Sequence, residues 1–108
     1  NVITFDEFQN VELKTAKVLE AEIVDSADKL LKLQVEVGDE KRQLVAGIAK
    51  FYKPEELVGK MIVVVTNLKP ATIFGLESYG MLLAAKKGKD LTLITIDGEK
   101  VKSGMKIY

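Results

Sequence analysis

The sequence predicts an all-β fold, a small barrel with short helical additions, and three observations carry that prediction. Leu31, Leu33, Val35 and Val37 alternate with Lys32, Gln34 and Glu36, the period-two pattern of a strand buried on one face. A second alternation changes phase midway: Ala16 and Val18 flank Lys17, whereas Leu19, Ala21 and Ile23 flank Glu20 and Glu22. That one-residue slip predicts a β-bulge around Val18-Leu19. Apolar runs reach only about five or six residues, which suits strands and falls far below the roughly 18 that span a bilayer. No membrane partner is expected.

Taken in order, the elements support a barrel. Thr4-Phe5-Asp6-Glu7-Phe8 predicts a one-turn helix with Thr4 as cap and Glu7 completing a capping box. The first strand follows, bent at its bulge so that it can pair on both sides. Residues 30–46 read as a hairpin turning at Gly38-Asp39-Glu40, with Arg42, Leu44 and Ala46 on the return strand. Pro54 to Val58 predicts a short helix, since Pro suits the first helical position and Glu55 and Glu56 fall in the first turn. Met61–Val65, Gly80–Ala85 and Leu91–Ile96 read as further strands, the last closing through Asp97-Gly98. A long bulged first strand, with a helix between the third and fourth, fits the OB-fold. That fold is a five-stranded Greek-key barrel that binds oligonucleotides on one face. A C-terminal β extension completes a single domain over residues 1–108, without repeat, low-complexity tract or linker.

Composition narrows the chemistry. A chain of 108 residues with 47% hydrophobic content fits one globular domain. It holds no cysteine and no histidine, so disulfides, thiolate metal sites and the commonest general base are excluded. Ser26, Ser78 and Ser103 therefore have no histidine to activate them. The pairs Asp6-Glu7, Asp39-Glu40 and Glu55-Glu56 sit at turns or a helix start, where acids cap and solubilise. Gly75 to Gly80 spells GxxxxG but lacks the Lys-Ser/Thr of a phosphate-binding loop and leads into a strand. No catalytic residue, metal site or cofactor is expected. The chain opens on Asn1 with no secretory leader, which reads as an excised or processed domain of cytoplasmic origin.

Charge and the segment from Asn67 to Ala85 point instead to binding. Residues 1–40 carry ten acids against four lysines, a net of −6; residues 41–89 carry nine basic groups against three acids, a net of +6. An anionic ligand responds to the field within about 8–10 Å, not to the zero total. Either a basic face or an interleaved, averaged surface can follow from those numbers. NLKPATIFGLESYGMLLAA joins two apolar runs through a Lys-Pro break, two glycines, a serine and two aromatics, the make-up of a ligand-gripping connection. On the barrel, Lys17, Lys32 and Gln34 fall on outward positions. Lys14 and Arg42 share the parity of apolar neighbours, so each reaches solvent only from a strand end. Phe74 and Tyr79 are candidate stacking platforms against core roles. With aromatics at 6%, an RNA ligand would be held mainly through phosphates, sugars and shape.

From about Ile3 to Ile107 the chain resembles the tRNA-binding domain found at the C-terminus of many methionyl-tRNA synthetases. The same module occurs as a free-standing structure-specific tRNA-binding protein. The residues that carry the resemblance are VELKTAKV (Val11–Val18), ADKLLKLQVEVG (Ala27–Gly38), RQLVAGIAKFYKPEELVGK (Arg42–Lys60), NLKP (Asn67–Pro70) and GLESYGMLLAA (Gly75–Ala85). Glu12 and Lys14 stand where the family usually has Asp-x-Arg, and Ala71 and Thr72 where it often has basic residues. The resemblance implies an OB-fold that recognises folded tRNA by shape, commonly as a homodimer, sometimes alongside a synthetase catalytic domain. It places Asn67, Lys69, Ser78 and Met81 at or near the RNA, together with Lys14, Lys32 and Arg42. Gly75 and Gly80 would let the main chain approach the ligand. A homologous branch implies a second possibility, a dimeric export chaperone that binds unfolded polypeptide. A third is a module for single-stranded nucleic acid or sugar.

Overall fold

Strand β1 (Leu13–Ile23) organises the molecule, because its bulge lets one strand serve two neighbours. A computed structural model describes residues 1–108. Leu13–Lys17 pair with β4 (Met61–Val65), whereas Lys17–Ile23 pair with β2 (Leu31–Val37). The register slips between Val18 and Glu20, where the change of phase predicts a bulge. β2 turns into β3 (Glu40–Ala46) with Val37 opposite Glu40 and Leu31 opposite Ala46, so the predicted hairpin forms in register.

The main sheet runs β3-β2-β1-β4-β7, with β7 at Met81–Leu82. Its two ends approach each other: the Tyr79 N–H donates to the Gln43 carbonyl at 2.8 Å, and the Val45 N–H donates to the Ser78 hydroxyl at 3.0 Å. The sheet therefore curls into an OB-like barrel. Its inside is apolar, filled from β1 by Ala16 and Val18, from β2 by Leu31, Leu33, Val35 and Val37, and from β4 by Ile62 and Val64. Leu44, Ile48, Leu82 and Leu93 complete the filling with Leu57. Leu57 belongs to α2 (Pro54–Leu57), which lies between β3 and β4 as predicted. The capping box at α1 (Phe5–Phe8) also forms, with Thr4 and Glu7 exchanging backbone-to-side-chain bonds.

One departure matters. The run from Gly80 to Ala85 is not one strand, and only Met81–Leu82 joins the main sheet. At Leu83 the chain changes partner: its N–H donates to the Val63 carbonyl, while its own carbonyl accepts from the Ile94 N–H. Beyond it, β8 (Ala84–Lys87) and β9 (Asp90–Leu93) form a separate hairpin. A second small hairpin, β5 (Ala71–Ile73) with β6 (Leu76–Ser78), lies against β3.

The C-terminal extension exists as a clamp on β1. β10 (Lys106–Ile107) pairs with Leu13 and Lys14, and the segment before it stitches Thr15 on every polar atom. Thr15 exchanges backbone bonds with Met105 and Gly104, and its hydroxyl donates to the Lys102 carbonyl and accepts from the Met105 N–H. Gly104 makes this crossing possible. At φ +85° it lies so close to the β2–β3 turn that a Cβ would sit 2.7 Å from the Gly38 Cα.

Candidate nucleic-acid interface

The strand ends that carry β1's start, β3's start and β4's finish form one mouth of the barrel. Arg42 sits there, third in β3 and on the same face as Leu44, so it reaches out only because the strand has just begun. Its guanidinium donates to the Thr66 carbonyl at 2.6 Å and to the Tyr79 carbonyl at 3.1 Å, and it pairs with Glu40. It thus ties β3, the end of β4 and the segment leading to β7. Beside it, the Thr66 hydroxyl donates to the Glu12 carboxylate, and Lys14 approaches the same carboxylate at 3.7 Å. The Thr66 hydrogen bond, helped by the Lys14 charge and opposed by partial burial, holds Glu12 below the usual carboxylate range.

Between β3 and the β4–β5 connection lies a groove of about 490 Å³, lined by Glu40, Lys41, Arg42, Gln43, Thr66, Leu68, Pro70 and Tyr79. Lys69, exposed between Leu68 and Pro70, flanks it, and neither Lys41 nor Lys69 is among the three ion pairs of the protein. Tyr79 is 44% exposed and offers a ring edge to the groove, while Met81 is 50% exposed one strand away. Two free ammonium groups, a guanidinium, a carboxamide and a phenol around an open groove suit a polyanion with sugars.

The structure sorts the seven sequence-derived residues into different roles. Lys69 and Met81 are open to solvent. Lys14, half-buried, belongs to the Glu12 pair, and Lys32 pairs with Glu22 across the β1–β2 ladder at 2.5 Å. Arg42 lines the groove but is anchored by three partners. Asn67 is exposed, yet its amide is fully engaged: Oδ1 accepts from the Glu12 N–H at 2.9 Å and Nδ2 donates to the Asn10 carbonyl at 2.8 Å. Ser78 is only 4% exposed, so the structure moves it from the ligand face into the barrel seam. There its hydroxyl accepts from Val45 and donates to the Gly80 carbonyl at 3.1 Å.

Gly80 likewise serves packing and not approach to a ligand. At φ +139° its missing Cβ would meet the Val65 carbonyl at 3.0 Å and Val64 at 3.1 Å. Phe74, 60% exposed at the tip of the β5–β6 hairpin, faces a second hollow with Ile23, Leu76 and Lys32. Lys41 and Gln43 are groove residues that sequence reasoning missed; for Lys41, its outward parity beside Arg42 was the available signal.

Comparison with known proteins fits this arrangement. The family model for a putative tRNA-binding domain matches residues 13–106. The methionine–tRNA ligase of Thermotoga maritima is 61% identical over 107 residues, which is 99% of this chain but only 17% of that protein. The chain therefore spans about a sixth of the curated relatives it matches. Among solved structures, the MetRS-related protein of Pyrococcus horikoshii superposes with a TM-score of 0.90 at 38% identity, covering 100% of this chain and 99% of that one. The chaperone CsaA of Bacillus anthracis also gives 0.90, at 28% identity and full coverage of both chains. A barrel seam, a clamped first strand and a family match running from β1 to β10 agree: the chain belongs to the tRNA-binding domain family.

Proposed function

We propose that this chain is a non-catalytic module that binds folded tRNA across the mouth of an OB-fold barrel. The observation that carries the reading is the open groove where Lys41 and Lys69 stand without acid partners, in a chain of this family. Both lysines would neutralise phosphates, Gln43 and the Tyr79 hydroxyl would meet sugars, and Pro70 would hold the loop in shape beforehand. Appended to a synthetase in the cytoplasm, such a module raises tRNA affinity through effective concentration.

The module works as a homodimer in this reading. α1 buries none of its residues although it carries Phe5 and Phe8, and Val11 and Met105 are also exposed. A second copy covering that face would double the cationic surface offered to one RNA. Phe5→Asp is expected to halve the mass measured by light scattering; an unchanged mass would remove α1 from the interface.

The test of RNA binding is a filter titration with total tRNA across a range of salt. Lys41→Ala combined with Lys69→Ala should weaken binding and flatten the salt dependence by about one slope unit per lost phosphate contact. A slope equal to that of the wild type would exclude these contacts. The likeness to CsaA supports a second reading, capture of unfolded polypeptide by the exposed apolar face. Binding of unfolded protein that ignores both salt and competing tRNA would favour it.

A further inference from the structure

Far from the groove, at the other end of the barrel, three lysines converge without a carboxylate among them. A hollow of about 280 Å³ is lined by Lys29, Gly47, Lys50, Phe51 and Lys86. Lys29 comes from the β1–β2 connection, Lys50 and Phe51 from the β3–α2 connection, and Lys86 from β8. None of the three lysines takes part in an ion pair. Lys14, Lys32 and Arg42, by contrast, each have a carboxylate within reach. Three positive charges around one concavity add their fields, which favours an anion there.

The hollow is also built before any ligand arrives. The Ala49 N–H donates to the Lys29 carbonyl at 3.1 Å, which fixes the two connections to each other. A turn closed by Phe51 N–H to Ile48 carbonyl, with Ile48 in the core, sets the ring beside the lysines. The Tyr52 hydroxyl accepts from the Leu93 N–H at 3.0 Å and so binds this loop to the hairpin that carries Lys86. Phe51 remains 40% exposed, while Ile48 and Tyr52 on the same turn pack inward. A cationic rim with one accessible aromatic ring is the combination that holds a phosphodiester and lets its sugar or base lie on the ring.

We infer that Lys29, Lys50 and Lys86 form a second RNA-phosphate site, with Phe51 as the surface for the attached nucleoside. The inference rests on the tRNA-binding reading and adds a contact to it. β2 runs from one barrel end to the other over seven residues, roughly 20 Å at about 3.3 Å per residue. One nucleotide cannot touch both sites, but a folded RNA can. The two ends of the barrel would then grip separate stretches of backbone on one molecule.

The test uses the whole chain in the tRNA filter titration, with inorganic phosphate and AMP as competitors. Lys29→Ala, Lys50→Ala and Lys86→Ala together should lower affinity about tenfold and reduce the salt slope by about two to three units. Replacing all three by Arg should restore both. Phe51→Leu should cost about tenfold with the slope unchanged, since stacking involves no counterions. Wild-type affinity and slope in the triple Ala variant, with tRNA binding intact, would overturn this site alone. Failure of the wild-type chain to bind tRNA would remove the functional reading and this site with it. Phosphate or AMP binding that the triple Ala variant loses, while its tRNA affinity and slope stay at wild-type values, would assign the hollow to a small anion and overturn the RNA contact.

Discussion

Single residues at the barrel mouth show how hydrogen bonding decides between a ligand contact and a structural tie. Ser78 looks like a binding serine because it sits among glycines and an aromatic, yet burial gives its hydroxyl two backbone partners. Ser78→Ala leaves the buried Val45 N–H unpaired, so stability should fall by about 1–3 kcal/mol. At about 4–8 °C per kcal/mol for a chain of this size, a calorimetric scan would see it readily. An unchanged melting temperature would mean that water replaces the hydroxyl. Glu12 gives a second handle. Its pKa is lowered in the folded state, chiefly by the Thr66 hydroxyl. Its contribution to stability is therefore present above the unfolded value of about 4.3 and is lost as pH falls through the folded one. Thr66→Val should move the Glu12 carboxyl titration, followed by NMR, upward toward that unfolded value. The wild type should lose more stability below pH 4 than the variant. Neither role was legible in the sequence, because the deciding partner is distant: Val45 lies 33 positions from Ser78, and Thr66 lies 54 from Glu12.

Among the elements, those with a local signature were legible and those defined by a distant partner were not. The β2–β3 hairpin, the bulge in β1 and both short helices follow from alternation, phase and capping, each contained within one contiguous stretch of sequence. The break at Leu83 has no such signature, since an apolar run reads alike whether it pairs with β4 throughout or leaves for β9. The lysines of the far hollow were equally hidden: positions 29, 50 and 86 share no motif, and two connections and β8 have to come together before they meet. Gly80 tests how tightly β7 is held against β4. Gly80→Ala combines a backbone conformation foreign to other residues with a clash on the Val65 carbonyl. It should cost about 2–4 kcal/mol, read as a fall in the denaturant midpoint. A loss below about 0.5 kcal/mol would show that the seam yields without strain.

For the molecule as a whole, a formal charge of zero hides an uneven distribution. The acidic segment pairs off Lys14 and Lys32 within itself, and Glu40 takes Arg42, so the structural cations are satisfied. Among the lysines left unpaired, Lys41 and Lys69 stand at one barrel end and Lys29, Lys50 and Lys86 around a hollow at the other. No helix is long and apolar enough to cross a membrane. The clamp that residues 102–107 place on β1 has a further consequence, for the order in which the chain assembles. Leu13 and Lys14, which pair with β4 on one side, gain their second neighbour from Lys106 and Ile107. The Leu13–Ile107 pairing joins residues 94 positions apart, and topologies dominated by such distant contacts fold slowly. β1 can pair with β2 and β4 before this seal is in place, so the barrel's edge should close late in refolding.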